Sequence, residues 1–394
     1  QAMSEIKVNS IKGVGASTAA ITVNNSDGTC TANVTNNLSN RNLIINGAMQ
    51  VAQRGTSSTA ANYGSVDRFK HEHSNTDEAP TFAQVSLTSS DTPYTLGLTK
   101  AIKITNGNQT SGLQANSQIN FNQMIEAQNI RNSGWNYKSS SSYITLSFWV
   151  RSSVSQNFSG FVKTADGSMY IYPYETGTLS ADTWTKITKK IPGNSNLQID
   201  DDNGTGLQVF TISTYGTDYT DNSVTYDQWA GWASSSRSKD QATTWYTTND
   251  ATLEITGVQL EVGSVATDFE HRSYAQELAL CQRYYYRHAF GAAGRNIGIA
   301  AVYQANDIFP VVHFPCTMRT TPSLDVSNSS GYFRVYSDGA SDAFDTFSSL
   351  WNTGDNAVGL NANSSNGVSG RTSGHAAMVI TDNSSAHVSF KAEL

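Results

Sequence analysis

The chain has 394 residues, enough for two or three cores, and only 14% of them are charged against roughly 25% in an average soluble protein. Its net charge of −7 is spread thinly and the Lys and Arg form no basic stripe, which excludes duplex nucleic acid as a partner. No run of 18 apolar residues occurs, so the sequence predicts no membrane insertion.

Ser, Thr, Asn and Gln fill the polar quota instead, and 18 Tyr, 15 Phe and 7 Trp supply an unusual weight of rings. That mixture suits strand-rich modules with flat, hydrogen-bonding faces. Cys30, Cys281 and Cys316 are odd in number and far apart, which fits free thiols made in a reducing cytosol. Gln1 and Ala2 precede Met3, which reads as the natural start, and the segment after it lacks the apolar stretch of a secretory signal. Synthesis in a host cytoplasm and escape by lysis would account for an extracellular composition without a signal.

Residues 4–36 hold three strand-like pieces: Glu5–Ile11, Ala20–Val23 and Cys30–Thr35. Gly13-Val-Gly15 and the turn Asn25–Gly28 separate them. They carry too few apolar residues to close a core. Pairing between chains would complete them, as would folding onto the next unit.

Residues 41–272 read as a long run of strands. Examples are Ala101–Thr105, Tyr143–Val150, Phe158–Lys163, Leu207–Ile212 and Leu253–Val262. Trp184–Ile191 breaks strict alternation, which predicts a bulge or an edge. Gln123–Ile130 predicts one or two helical turns. Dense turn signals, at Asp166-Gly167 and Asn203-Gly204, point to a two-sheet sandwich or jelly roll.

A helix is predicted from Ser273 to about Tyr286. Ser273 with Gln276 makes a capping box, and Leu278, Cys281 and Tyr285 share one face. Beyond it, Ile299–Tyr303, Phe309–Phe314, Gly331–Tyr336, Ala376–Ile380 and Ala386–Lys391 predict a second β unit. Its long Gly/Ser/Asn-rich loop, Asn361–Gly374, is a candidate recognition element.

Two segments carry a family likeness. One is Asn42–Gly55, with Val66-Asp-Arg-Phe69; the other is Ile255–Tyr274, running on into Glu277–Tyr286. The pattern resembles bacteriophage tail-fibre and related virion fibre proteins whose central domain is a carbohydrate-binding-module-like jelly roll. It covers residues 41–290 well. Later it is looser, through Phe314–Arg319, Pro322 and Phe390–Leu394. The resemblance implies a virion location and trimeric assembly, and names no ligand. Alternation in the second segment puts Ile255, Gly257, Gln259 and Glu261 on one face and sends Val258, Leu260 and Val262 to the core.

No enzyme signature appears: no nucleophile elbow, phosphate loop, His-Glu-x-x-His or dinucleotide fingerprint. His71-Glu72-His73 sets two imidazoles on one strand face but offers no third ligand, which favours a solvated strand over a metal. Asp200–Gly204 offers oxygens to Ca²⁺ but misses the alternating loop pattern, so a polar turn is favoured. No cofactor is implied. Asp91, Glu175 and Asp227 are carboxylates without a visible pairing, and a glycosidase needs a pair at a set separation.

The aromatic cluster Tyr226, Trp229, Trp232, Trp245 and Tyr246 is the candidate carbohydrate-binding site. A sugar's C–H face stacks on a ring while Asp227, Gln228 and Gln241 would meet its hydroxyls. The competing reading, favoured for rings of this size, is core packing. Tyr170, Tyr172 and Tyr174 also alternate around Pro173, which suggests an edge and either a binding face or an inter-subunit contact.

The expected protein is all-β. A short N-terminal β stem for assembly (1–40) leads to a central β-sandwich, a jelly roll (41–272). A connector helix (273–287) joins it to a C-terminal β-sandwich-like domain, the candidate receptor-binding tip (288–394). The expected function is a non-enzymatic structural virion protein, a tail-fibre-type adhesin. It would be a homotrimer among other virion proteins, binding host-surface glycans through many weak contacts. A capsid fibre or decoration protein and a polysaccharide-degrading tail enzyme are the alternatives.

Overall fold

The computed structural model describes residues 8–15, 17, 19–23, 30–32 and 40–394. Glu5–Lys7 of the first expected strand, the turn Asn25–Gly28 and Asn33–Thr35 lie outside the described residues. What is described of the first segment is a small antiparallel sheet of Ser10–Ile11, Ile21–Val23 and Cys30–Ala32. Val8 and Ile11 stand exposed on it.

The rest is strand, as the composition predicts. Two six-stranded antiparallel sheets make the central sandwich. The first runs, in spatial order, Ala230–Gly231, Tyr170–Leu179, Gln156–Thr164, Thr205–Tyr215, Gln118–Glu126 and Phe69–Ser74. The second runs Thr185–Pro192, Tyr143–Ser152, Thr252–Val262, Lys100–Thr105, Thr81–Ser86 and Ser57–Ser58. Period-two alternation builds the core between them. Ile144, Leu146, Phe148 and Val150 point inward from one strand of the second sheet. Phe69, Phe121, Val162, Val209 and Tyr172 meet them from the first. Burying each such side chain contributes about 1.5–3 kcal/mol.

A bulge changes the expected faces of Thr252–Val262. The register slips between Thr256 and Gln259. Gly257 takes φ +62° there, and a Cβ on it would stand 2.8 Å from Leu98 Cδ1. The slip puts Leu253 and Ile255 in the core together with Val258 and Leu260, while Val262 is 38% exposed. Into the bulge runs the segment Asn42–Gly47. Val258 N–H donates to Gly47 O at 2.9 Å and Leu43 N–H to Leu260 O at 2.8 Å. Asn42 accepts from Leu260 N–H at 3.0 Å and donates to Val258 O at 3.1 Å. A Cβ at Gly47 would lie 2.0 Å from Val258 O, so the approach requires glycine. The two family-like segments are therefore neighbours.

Other expectations shift by short distances. Gln118–Glu126 is a strand, and the helix beyond it spans only Ala127–Arg131. Trp184–Ile191 becomes the edge strand Thr185–Pro192, in regular register. Tyr172 and Tyr174 face inward and are buried, so that stripe is core rather than a binding face. The helix after the sandwich spans Tyr274–Gln282 with both bonds of the Ser273–Gln276 capping box formed, and Tyr285 already begins a strand.

The last unit pairs a three-stranded sheet (Tyr285–Phe290, His387–Lys391, Ser323–Val326) with a seven-stranded one. In spatial order the larger sheet is Ala340–Phe344, Phe333–Ser337, Ala376–Thr381, Asn296–Gln304, Asp307–His313, Ala357–Asn361 and Ser349–Trp351. Phe333, Phe344 and Phe347 form the centre of its core.

Buried charge ties this unit to the sandwich. Arg68, 1% exposed, pairs with Glu393 and lies 3.4 Å from the centre of the Tyr284 ring. Arg54 reaches Glu393 at 3.1 Å and covers Tyr285 at 3.6 Å. Arg283 grips Glu126 with Nε and Nη2, each at 2.8 Å. Across the same seam Asn203 Nδ2 donates to Arg319 O at 2.6 Å and Arg319 Nη1 to Asn203 O at 3.0 Å, which gives the acidic turn at Asp200–Gly204 a docking role. Glu393→Ala leaves two buried guanidiniums without their carboxylate. Denaturant titration of that variant should show a loss of about 3–5 kcal/mol; a loss below about 1 kcal/mol, the level of a surface pair, contradicts this account.

Candidate functional site

The five rings singled out in the sequence separate in three dimensions. Trp245 and Tyr246 sit on a one-turn helix, Thr244–Thr247, and are 2% and 1% exposed. Asn106 Nδ2 donates to both of their carbonyls, and Trp245 meets Phe158 edge-on at 6.3 Å. They are core residues with no face for a ligand. Trp229 is half-buried; its Nε1 donates to Pro192 O at 2.7 Å and its ring abuts Tyr172 at 5.4 Å. It closes the edge of the core.

Trp232 goes the other way. Ala230–Gly231 pairs with Tyr170 and Ile171 at the edge of the first sheet, and Trp232 N–H then donates to Met169 O at 3.0 Å. The ring packs on the outer face of that sheet, with Phe161, Ile171, Phe210 and Tyr215. Tyr226 lies on the same side, its hydroxyl 2.8 Å from Ser159 Oγ. Of the predicted five, Tyr226 and Trp232 reach this face.

The outer face itself was not singled out in the sequence. Alternation in Gln118–Glu126 sends Ile119 and Phe121 inward and Gln118, Asn120 and Asn122 outward. Strand pairing sets Asn122 between Lys70 and Phe210, and Asn120 between Glu72 and Ser213. Asn120 and Asn122 are 1% and 0% exposed, yet Asn122 Oδ1 and Nδ2 and Asn120 Oδ1 have no hydrogen-bond partner among the described residues. Ser213 Oγ, buried beside them, has none either. A buried amide left unbonded costs about 1–3 kcal/mol, and native structures carry few of them. The alternation Ile119-Asn120-Phe121-Asn122 was the available signal; the missing partners were not in it.

The long connection after Tyr215 lies across part of this face. Arg237 donates from its backbone to Tyr219 O at 2.9 Å and from Nη1 to Gln118 Oε1 at 3.1 Å. Its guanidinium is 4.3 Å from the Tyr219 ring centre and 5.0 Å from that of Tyr215. Lys70, Glu72, Gln118 and Arg237 line an open polar cavity of about 330 Å³.

The other sequence candidates take structural places. His71 points inward, stacked on Phe82 at 4.2 Å, while Glu72 points outward to Lys70 at 2.8 Å. The three cannot converge on one ion. Among the described residues no group of three His, Cys, Asp or Glu is placed to hold a metal. Asp91 accepts from Arg151 and Trp184, Glu175 from Asn157, and Asp227 pairs with Lys189 at 3.3 Å.

No family model matches the sequence, and no curated protein matches it. Similar solved structures include the enzymatically active domain of tailspike protein 4 of bacteriophage CBA120. It is 9% identical with a TM-score of 0.30, over 56% of this chain and 21% of that one. A family 11 carbohydrate-binding module from Clostridium thermocellum is 9% identical, TM-score 0.25, over 55% and 98%. The tripod of the bacteriophage Tuc2009 baseplate is 14% identical, TM-score 0.26, over 94% and 96%. Every one of these TM-scores is below 0.5, so the class of the chain, an all-β protein of antiparallel sandwiches, rests on its own sheets.

Two outcomes follow from these placements. Trp229→Ala should cost roughly 3 kcal/mol and Trp232→Ala clearly less, because only the first ring closes the main core; equal losses in denaturant melts contradict the split. Burial holds the His71 pKa down at about 3 from its ordinary 6.5. The unfolded chain therefore takes up that proton near pH 6.5 while the folded chain refuses it until about pH 3. The stability from His71 is complete above pH 6.5 and drains as pH falls toward 3, by up to about 1.4 kcal/mol per unit. Burial pushes Asp67 up to about 6, which works in the opposite sense below that pH. The difference between wild type and His71→Phe isolates the histidine: the variant should lose less stability than wild type between pH 6.5 and 4, and parallel profiles contradict the assignment.

Proposed function

We propose that this chain is a non-catalytic glycan-binding adhesin of virion-fibre type that contacts sugar with the outer face of its first central sheet. One observation carries the reading: on that face Asn122 Oδ1 and Nδ2 and Asn120 Oδ1 are buried without a hydrogen-bond partner among the described residues. Hydroxyl groups, each of which donates and accepts, match such amide atoms. The half-buried rings of Trp232 and Tyr219 beside them offer flat surfaces to a sugar's C–H side. Glu72, the one acid lining the cavity, is paired with Lys70, an arrangement that supports binding over glycoside cleavage.

Adhesion through weak contacts needs several copies. On the seven-stranded sheet, Ile299 and Tyr303 are each 66% exposed, Val311 51% and Trp351 53%. Tyr303, Val311 and Trp351 line a cleft of about 490 Å³ that carries no charged residue. An uncharged apolar face is where copies of a chain with net charge −7 meet with least repulsion, and the reading places a homotrimer contact there. Light scattering should give three times the 42.5 kDa chain mass, and Trp351→Lys should shift it toward the monomer. A wild-type monomer at micromolar concentration removes the trimer.

Asn122→Leu tests the sugar contact. Replacing an unbonded buried amide by an apolar group of similar size should leave the free protein as stable or more so. The same change should abolish retention on purified bacterial surface polysaccharides. A destabilised variant that still binds as wild type does overturns the assignment.

A further inference from the structure

The charges on the proposed sugar face are unbalanced. Lys163 and Arg237 converge on one ring from different elements: Lys163 Nζ lies 4.5 Å and the Arg237 guanidinium carbon 5.5 Å from the centre of Trp232. Lys163 donates only to the neutral Gln208 amide, at 3.3 Å. Arg237 gives Nε to Ser234 O and Nη1 to Gln118 Oε1, each at 3.1 Å. No carboxylate among the described residues lies within 4 Å of either cation, and the nearby Glu72 is turned to Lys70.

Two like charges held together, half-buried, repel each other in the free protein. Burial and the neighbouring Arg237 lower the Lys163 pKa, and the more distant Glu72 only partly opposes them. A chain with 32 acidic residues has not placed one between them. A guanidinium beside an ammonium, neither facing a carboxylate within 4 Å, is instead the arrangement that receives an external anion. We propose that the saccharide bound here is acidic: its anionic substituent sits between Lys163 and Arg237, against the half-buried ring of Trp232. This rests on the glycan-binding reading above and adds the class of sugar. A carboxylate and a sulfate share the required chemistry.

The test uses the full chain and two pairs of polymers, polygalacturonate with its carboxyl-reduced form and dextran sulfate with dextran. At least one anionic polymer should bind, and its neutral counterpart about tenfold or more weakly, the size expected when a charge-assisted pair is lost. Which one binds tells carboxylate from sulfate. Raising salt from about 0.05 to 0.5 M should weaken the interaction, since the site opens to solvent. Lys163→Met and Arg237→Gln should each cost about tenfold on the anionic polymer with little change in melting temperature. Should either variant melt early, Lys163→Arg, which keeps the charge, must retain binding.

Failure separates cleanly. Equal binding of anionic and neutral polymers, or binding indifferent to both variants, overturns the acidic assignment and leaves the sugar contact in place. Binding to neutral polymers alone does the same. No binding to these four polymers or to the bacterial surface polysaccharides removes both.

Discussion

A guanidinium cannot be stripped of water without an anion, and Arg68 is almost completely stripped. Among the described residues its one carboxylate contact is Glu393, more than three hundred residues away in the chain. This pair decides where the C-terminal unit sits. It draws the closing strand against the sandwich, and Tyr284 and Tyr285 are laid under Arg68 and Arg54 as a consequence. The family-like segments gather around the same seam: Asn46 N–H donates to Glu277, Asn40 and Asn42 N–H to Glu270, and Arg283 meets Glu126. Their residues are framework, each satisfying a group that another has buried.

The contrast with the outer face of the first sheet is instructive. At the seam the carboxylates pair with guanidiniums, although Arg54 Nη1 and Nη2, Arg68 Nε and Glu393 Oε1 make no hydrogen bond among the described residues. On the sheet face both amide atoms of Asn122, the Asn120 oxygen and the Ser213 hydroxyl are likewise buried without one, and there no opposite charge faces them. Stability alone would have replaced these residues with apolar ones of the same shape.

The face is also well supported. Phe161 and Phe210 stack at 4.1 Å beneath Trp232, so the ring is held by packing rather than by loop conformation alone. Arg237 lies against three rings, which reduces the side-chain freedom lost on binding. Copies joined through the apolar C-terminal face would present several such sites at once, and weak contacts would add up.

The sequence by itself determined that the protein is all-β, because period-two alternation and turn residues act over a few neighbours and need no distant partner. It also determined the capped helix at Ser273 and the framework character of the family-like segments. It left open which rings are core. Trp229 and Trp232 are three residues apart in similar surroundings, yet one closes the core and the other rides the outer face, because a two-residue strand pairs at the sheet edge between them. Val262 was assigned inward by strict alternation, and a single bulge at Gly257 turned it out. The unbonded amides of Asn120 and Asn122, and the two cations over Trp232, were decided by tertiary structure alone. Whether a polar group is satisfied depends on what the fold brings within about 3 Å of it, from strands and loops remote in the chain, and local pattern carries no record of that.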